Sequence, residues 1–171
     1  MLKDKVALIT GAASGIGYAI AKKMTEEGCK VVIADVNKEG VEKVCKELGC
    51  IGMASDLSTR QGCRDIVDMA VSEYGEVDIL GNVAGIQHVC EIDKFPEDKW
   101  DFMISLMLTA PFLLMKYCWP SMKEKGWGRI INLSSIHGLV ASEFKSCYVS
   151  AKHGLFGLTK TAAMEGGPYG I

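Results

Sequence analysis

The chain has 171 residues and a net charge of −2 from 19 basic and 21 acidic side chains; it is 49% hydrophobic, 23% charged and 8% aromatic. At roughly 150 residues per domain this is about one domain, long enough to bury a core without staples, and the composition excludes disorder, collagen and coiled coil. Near-neutral charge gives no electrostatic case for nucleic acid or an anionic membrane as the main partner, and the longest apolar stretch, Met103 to Met115, is interrupted by Ser105, Thr109 and Pro111 and reads as too short to span a bilayer.

The N-terminal residues lead into a short apolar run that ends in a glycine loop, which is not the pattern of a signal peptide. That run, Val6 to Thr10, reads as a strand, followed by a helix with Ile16, Ala19, Ile20, Lys23 and Met24 in register. Lys30 to Ala34 is a second strand, and Val41, Val44, Cys45 and Leu48 form one helical stripe. Cys50 to Ala54 reads as a weaker third strand, and Cys63, Ile66, Val67, Ala70, Val71 and Tyr74 as a third helix. Val77 to Gly81 is a fourth strand. A long helical region starts near Pro96, with Pro111 inside it expected to bend or open it locally. Gly128 to Ser134 is a fifth strand, and a helix from about Tyr148 to Glu165 ends at Gly166, Gly167 and Pro168. Strands alternating with amphipathic helices imply an α/β doubly wound parallel sheet of Rossmann type with helices on both faces, a single domain over residues 1–171. Right-handed crossovers align the carboxyl ends of the strands along one edge, where ligands bind.

The seven cysteines (29, 45, 50, 63, 90, 118 and 147) are odd in number and show no Cys-x-x-Cys pair. They read as small apolar residues in a reducing compartment such as the cytoplasm rather than as disulfide or metal ligands, and no metal site is expected.

Four of the five sequence motifs that bear on chemistry lie on the ligand edge of the nucleotide half. Gly11, Ser14, Gly15, Ile16 and Gly17 follow the first strand and open the first helix, where a tight turn, free N–H groups and the helix dipole suit a diphosphate. Asp35 ends the second strand 18 residues after Gly17 and can accept from both ribose hydroxyls while repelling a 2′-phosphate; Ala12, Ala13 and Ser14 carry no cation to pair one. This favours NAD over NADP, although Lys38 stands close enough to pair a 2′-phosphate. Asp56 and Leu57 end the third strand, with Asp56 able to accept from an adenine amino group; Asn82, Ala84 and Gly85 follow the fourth, with Asn82 able to brace strand ends or a ribose. Each of these two sets, alone, reads equally well as turn or cap residues. In the last helix Tyr148 and Lys152 are spaced i, i+4 on one face. An ammonium beside a phenol favours its phenolate form, which suits proton exchange with an alcohol, and Ser135, 13 residues before Tyr148, can hold the reacting oxygen.

Together these residues resemble the short-chain dehydrogenase/reductase family. The family's Thr-Gly-x-x-x-Gly-x-Gly stands as Thr10 to Gly17. Its Asn-Asn-Ala-Gly stands as Asn82 to Gly85, with Val83 for the second Asn, and its Ser and Tyr-x-x-x-Lys as Ser135, Tyr148 and Lys152. The resemblance runs from Lys5 to Ile171. It implies that Tyr148 is the acid/base, that Lys152 supports it and holds the nicotinamide ribose, and that Ser135 positions the substrate oxygen. Segments Gly85 to Val89, Gly126 to Asn132, His137 to Ser142 and Lys145 to Gly154 further resemble the family's D-3-hydroxybutyrate dehydrogenases. That subgroup binds the substrate carboxylate with residues that map onto Gln87, His137 and Lys145. The implied reaction is hydride transfer between NAD and a small hydroxy or keto acid, the 3-hydroxybutyrate/acetoacetate pair, by a homodimer or homotetramer built through the helices after strands four and five. The alternatives are an NAD-binding fragment or pseudoenzyme with little turnover, and a reductase for another ketone or alcohol. Two departures bear on these. The family's proton-relay Asn, 28 positions before the Ser, falls on Met107, a weak acceptor and no donor, which predicts slowed turnover with cofactor binding intact. The family's sixth strand, substrate lid and seventh strand would follow Ile171, so strand order 3-2-1-4-5 is expected to leave the fifth strand as an unpaired edge.

Overall fold

The computed structural model describes residues 2–171. Five parallel strands, β1 (Val6–Thr10), β2 (Lys30–Asp35), β3 (Ile51–Ala54), β4 (Ile79–Asn82) and β5 (Arg129–Asn132), stand in the order β3-β2-β1-β4-β5. They are connected by α1 (Gly15–Glu26), α2 (Lys38–Leu48), α3 (Arg60–Tyr74) and a long helical stretch after β4; α6 (Ser146–Gly166) follows β5. β1 pairs in register with β2 from Val6 opposite Lys30 to Thr10 opposite Ala34, and β4 with β5 from Ile79 opposite Arg129 to Asn82 opposite Asn132. The parallel sheet is the one the alternating pattern predicts, and its strand order is the one the family resemblance implies.

Alternation along the strands divides the core into two layers. Val6, Leu8, Val32, Ala34 and Leu80 pack with Ile66 and Val67 of α3 and with Leu114 and Cys118 of the long helix. Ala7, Ile9, Val31, Ile33 and Ile79 pack with Ala21 of α1 and with Val41 and Val44 of α2. The α1 stripe differs from its predicted register. Gly17 and Ala21 are its buried residues, while Ile16, Ala19 and Lys23 face out. The glycine at 17 brings the helix axis close to the loop after β1, so small residues rather than the large aliphatics make the contact. All seven cysteines are free, and four of them (29, 63, 118 and 147) are buried. Burial pushes the Cys118 thiol up to about 12 and the Cys63 thiol up to about 11.

The stretch from Glu97 to Lys125 is helical throughout: α4 (Glu97–Ile104), a π-helical segment (Ser105–Thr109) and α5 (Ala110–Lys125). A proline has no N–H to give and its ring crowds the carbonyl four residues back. For Pro111 that carbonyl belongs to Met107, and the widened turn there absorbs the conflict without breaking the helix. The stretch is long and apolar enough by composition to cross a membrane, so the interruptions at Ser105, Thr109 and Pro111 do not shorten it as the sequence reading had it. Its buried residues, Leu113, Leu114, Met115, Cys118 and Met122 among them, belong to the layer under the sheet.

Asp78 closes the end of the sheet away from the ligand edge. Its carboxylate accepts from Val6 N–H at 2.9 Å and from the Lys125 ammonium at 2.6 Å, with Lys5 at 3.5 Å. Its carbonyl accepts from Arg129 N–H at 3.0 Å.

Candidate functional site

A cleft of about 600 Å³ runs along the carboxyl ends of the strands. One end is formed by Asp35, Val36, Asp56 and Leu57, the middle by Gly11, Ser14, Gly15, Ile16 and Gly17, and the other end by Ala84, Gly85, Gln87, Tyr148 and Lys152. The sequence reading missed an apolar wall at that last end, Ile86, Phe102 and Leu106. The signal available for it was the i, i+4 apolar pair Phe102 and Leu106 early in the long helical region.

The middle of the cleft fits a dinucleotide diphosphate. Ser14 is the N-cap of α1 but makes no side-chain cap bond, so the first-turn N–H groups are uncapped. A Cβ on Gly17 would lie 2.2 Å from the Gly11 carbonyl oxygen, so only glycine lets the helix start this close to the loop. Thr10 holds the facing loop in place: its hydroxyl accepts from Val83 and Ala84 N–H at 2.9 and 3.1 Å and donates to the Gly81 carbonyl at 3.3 Å.

At the first end the Asp35 carboxylate is held on both sides, one oxygen accepting from Ala13 N–H at 3.1 Å and the other from Asn37 N–H at 3.0 Å. Asp56 is exposed and uses one carboxylate oxygen locally, accepting from Ser58 N–H and hydroxyl at 2.9 and 2.7 Å. Asn82 does not line the cleft. It is buried and donates to Asn132 at 2.7 Å, tying β4 to β5, and Asn132 passes the chain on to Thr159 of α6 at 2.9 Å.

At the far end α6 presents Tyr148 and Lys152 on successive turns, with the ammonium 5.6 Å from the phenol ring centre. Lys152 is only 4% exposed and donates to the Leu133 carbonyl at 2.7 Å. Burial holds its ammonium below the ordinary lysine value. Met107, 1% exposed, lies against the same spot: a Cβ on Gly85 would be 3.5 Å from its sulfur and 3.8 Å from Lys152 Nζ.

Ser135, His137 and Lys145 form a second group outside the residues that line the cleft. Ser135 Oγ accepts from His137 N–H at 3.1 Å, capping the short 3₁₀ turn Ile136–Gly138. His137 Nε2 is 3.2 Å from Lys145 Nζ, and the His137 ring stands edge-on to Tyr148 at 6.1 Å. The His137 Nδ1 is buried and, among the described residues, unpartnered. Lys145 follows Phe144, whose backbone is left-handed (φ 61°) and whose carbonyl accepts from Cys90 N–H at 2.9 Å. That bond ties the loop after β4, which carries Gln87, to the loop after β5.

The sequence model of the family described as short chain dehydrogenase matches residues 5–171. An uncharacterized oxidoreductase of Bacillus subtilis is 45% identical over 99% of this chain and 68% of its own length. A D-beta-hydroxybutyrate dehydrogenase of Cupriavidus necator is 42% identical over all of this chain and 68% of its own, and one of Rhizobium meliloti is 41% identical over 98% and 67%. A metagenomic short-chain oxidoreductase, solved in complex with NADP, superimposes with a TM-score of 0.94 at 32% identity over 98% of this chain and 78% of that one. A parallel sheet with its cleft along the strand ends, matched over nearly the whole chain by these proteins, identifies the chain as a member of the short-chain dehydrogenase family of oxidoreductases.

Proposed function

We propose that the chain binds NAD and acts on a small hydroxy acid, the 3-hydroxybutyrate/acetoacetate pair, in a single domain. The observation that carries the substrate class is the group around His137. A lysine ammonium only donates, so in its contact with Lys145 the His137 Nε2 is the acceptor. A buried imidazole nitrogen without a partner, with an ammonium at the ring's other nitrogen and the Tyr148 ring edge-on beside it, is a polar set suited to a carboxylate and out of place for an apolar ketone. The two hydroxybutyrate dehydrogenases at 41–42% identity support the same class.

A bound nicotinamide would supply the hydride acceptor or donor. Gly11, Ser14, Gly15, Ile16 and Gly17 would hold its diphosphate, and Asp35 and Asp56, with Leu57, the adenosine. Ala84, Gly85 and Lys152 would hold the far ribose, with Asn82 bracing the strand ends beneath. Tyr148 then gives or takes the proton at the substrate oxygen, Ser135 holds that oxygen, and Gln87, His137 and Lys145 hold the carboxylate. The test follows reduced-nicotinamide absorbance with 3-hydroxybutyrate and NAD. Lys145→Ala is expected to raise KM for the acid by about tenfold or more, the scale of one charge-assisted contact. Unchanged turnover and KM would sink the carboxylate assignment. The second reading, a nucleotide-binding protein with little turnover, rests on Met107, whose sulfur fills the space beside Lys152.

A further inference from the structure

We infer that Gly40 is a positioning residue for dinucleotide choice. Lacking a side chain, it lets the first turn of α2 close on the glycine loop and so fixes Asp35 in its ribose-accepting orientation. The inference rests on the NAD reading above and assigns its control to a residue outside the cleft lining.

The Asp35 carboxylate is clamped from two directions, by Ala13 N–H on the glycine loop and by Asn37 N–H on the turn before α2. Each oxygen keeps a lone pair for a ribose hydroxyl while it is held. The clamp works only while these two backbone segments stay at their present separation. A Cβ built on Gly40 would lie 2.8 Å from Ala13 Cβ, 2.9 Å from Asn37 Nδ2 and 3.1 Å from Asn37 Cγ. The added atom thus meets the same two residues whose N–H groups hold the carboxylate. Asn37 cannot swing aside freely, because its Oδ1 caps α2 by accepting from Gly40 N–H at 3.1 Å. The start of α2 must therefore move off the loop, and the two donors no longer converge on Asp35.

Nothing else in the local structure asks for glycine. The φ of Gly40 is not positive, unlike that of seven other glycines, and alanine is the better helix former. A glycine in the first turn of α2 runs against helix propensity, and the close approach to Ala13 is what it permits.

Calorimetric titration with NAD and with NADP tests this without requiring turnover. The wild-type chain is expected to bind NAD more tightly than NADP. Gly40→Ala should weaken NAD by about tenfold, the scale of misaligning a charge-assisted hydrogen-bond pair, and leave NADP within about twofold. The thermal midpoint should fall by only a few degrees, since alanine's helix propensity partly offsets the two lost bonds. The double variant Gly40→Ala/Ala13→Gly removes the methyl that the new Cβ meets and should recover most of the NAD affinity. An unchanged NAD/NADP ratio in Gly40→Ala, an equal loss of both, or a collapsed thermal midpoint overturns the inference while the NAD reading stands. A wild-type chain that binds NADP as well as NAD overturns the NAD reading and the inference with it.

Discussion

Lys152 is nearly enclosed, and one of its three N–H groups is spent on the Leu133 carbonyl. The Met107 sulfur borders the same spot at Gly85, and it offers little as an acceptor. Burial lowers the pH at which the ammonium gives up its proton, so the charge beside Tyr148 is lost sooner on the alkaline side than at an ordinary lysine. Met107→Asn places a carbonyl acceptor there. It is expected to raise kcat about tenfold, a modest part of what general acid–base chemistry contributes, to move the alkaline limb of the pH profile upward, and to leave NAD affinity within about twofold. Steady-state rates across pH check this; an unchanged profile would mean that residue 107 has no part in proton handling. Most of this end of the site could be read from spacing, because Tyr148 and Lys152 are one helical turn apart. The Asp35 clamp could not be read, since it depends on which atoms Gly40 would strike across two chain segments.

Among the elements, the strands and most of the buried helix faces followed from apolar period where one side met the sheet, as in α3, whose Cys63, Ile66, Val67 and Ala70 are buried while Val71 of the same stripe is exposed. In α1 the same reasoning chose the larger apolar residues, but close packing at Gly17 turned Ile16 toward the cleft. The polar joint at Asp78 left no periodic signal, because its partners come from β1, the end of α5 and the start of β5. Burial by itself would raise this carboxyl. The Lys125 ammonium, Val6 N–H and Lys5 outweigh it and hold Asp78 below its ordinary value of 3.8. A lowered folded value means stability that is fully present above the ordinary value and is lost as the pH falls through the folded one. Asp78→Asn removes the charge from a carboxylate site that is 2% exposed, while the partly exposed Lys125 keeps Glu76 as a partner, and should cost about 2 kcal/mol at neutral pH, the scale of hydrogen bonds to a charged group. Urea unfolding at pH 7 and pH 3 is the check: the gap to wild type should narrow in acid, and a constant gap would mean the charge is not what binds these elements.

For the whole molecule the decisive feature is how β5 is covered. Its inward alternation, Ile130 and Asn132, packs toward α5 and α6, where Asn132 reaches Thr159. The other face presents Arg129 and Ile131, and Ile131 is 45% exposed on the side that α1 and α2 cover farther along the sheet. Among the described residues β5 pairs with β4 alone, so its outer backbone groups also lie free of the sheet. A parallel sheet ordinarily has both faces covered, and an open edge beside a bare aliphatic is a template for pairing with another chain. These residues read as a strand from the sequence by their β-branched run. That the strand would stand at the edge came from strand order, while the bare face needed the position of every helix. This face is therefore expected to be a packing surface, for further chain or for a second copy. Where a second copy packs there, Ile131→Lys places a charge on that face, is expected to shift sedimentation toward the monomer, and should leave NAD affinity unaltered because the cleft lies at the strands' carboxyl ends. If the variant sediments as the wild type does, association runs through another surface, and the exposed helices after β4 become the place to look.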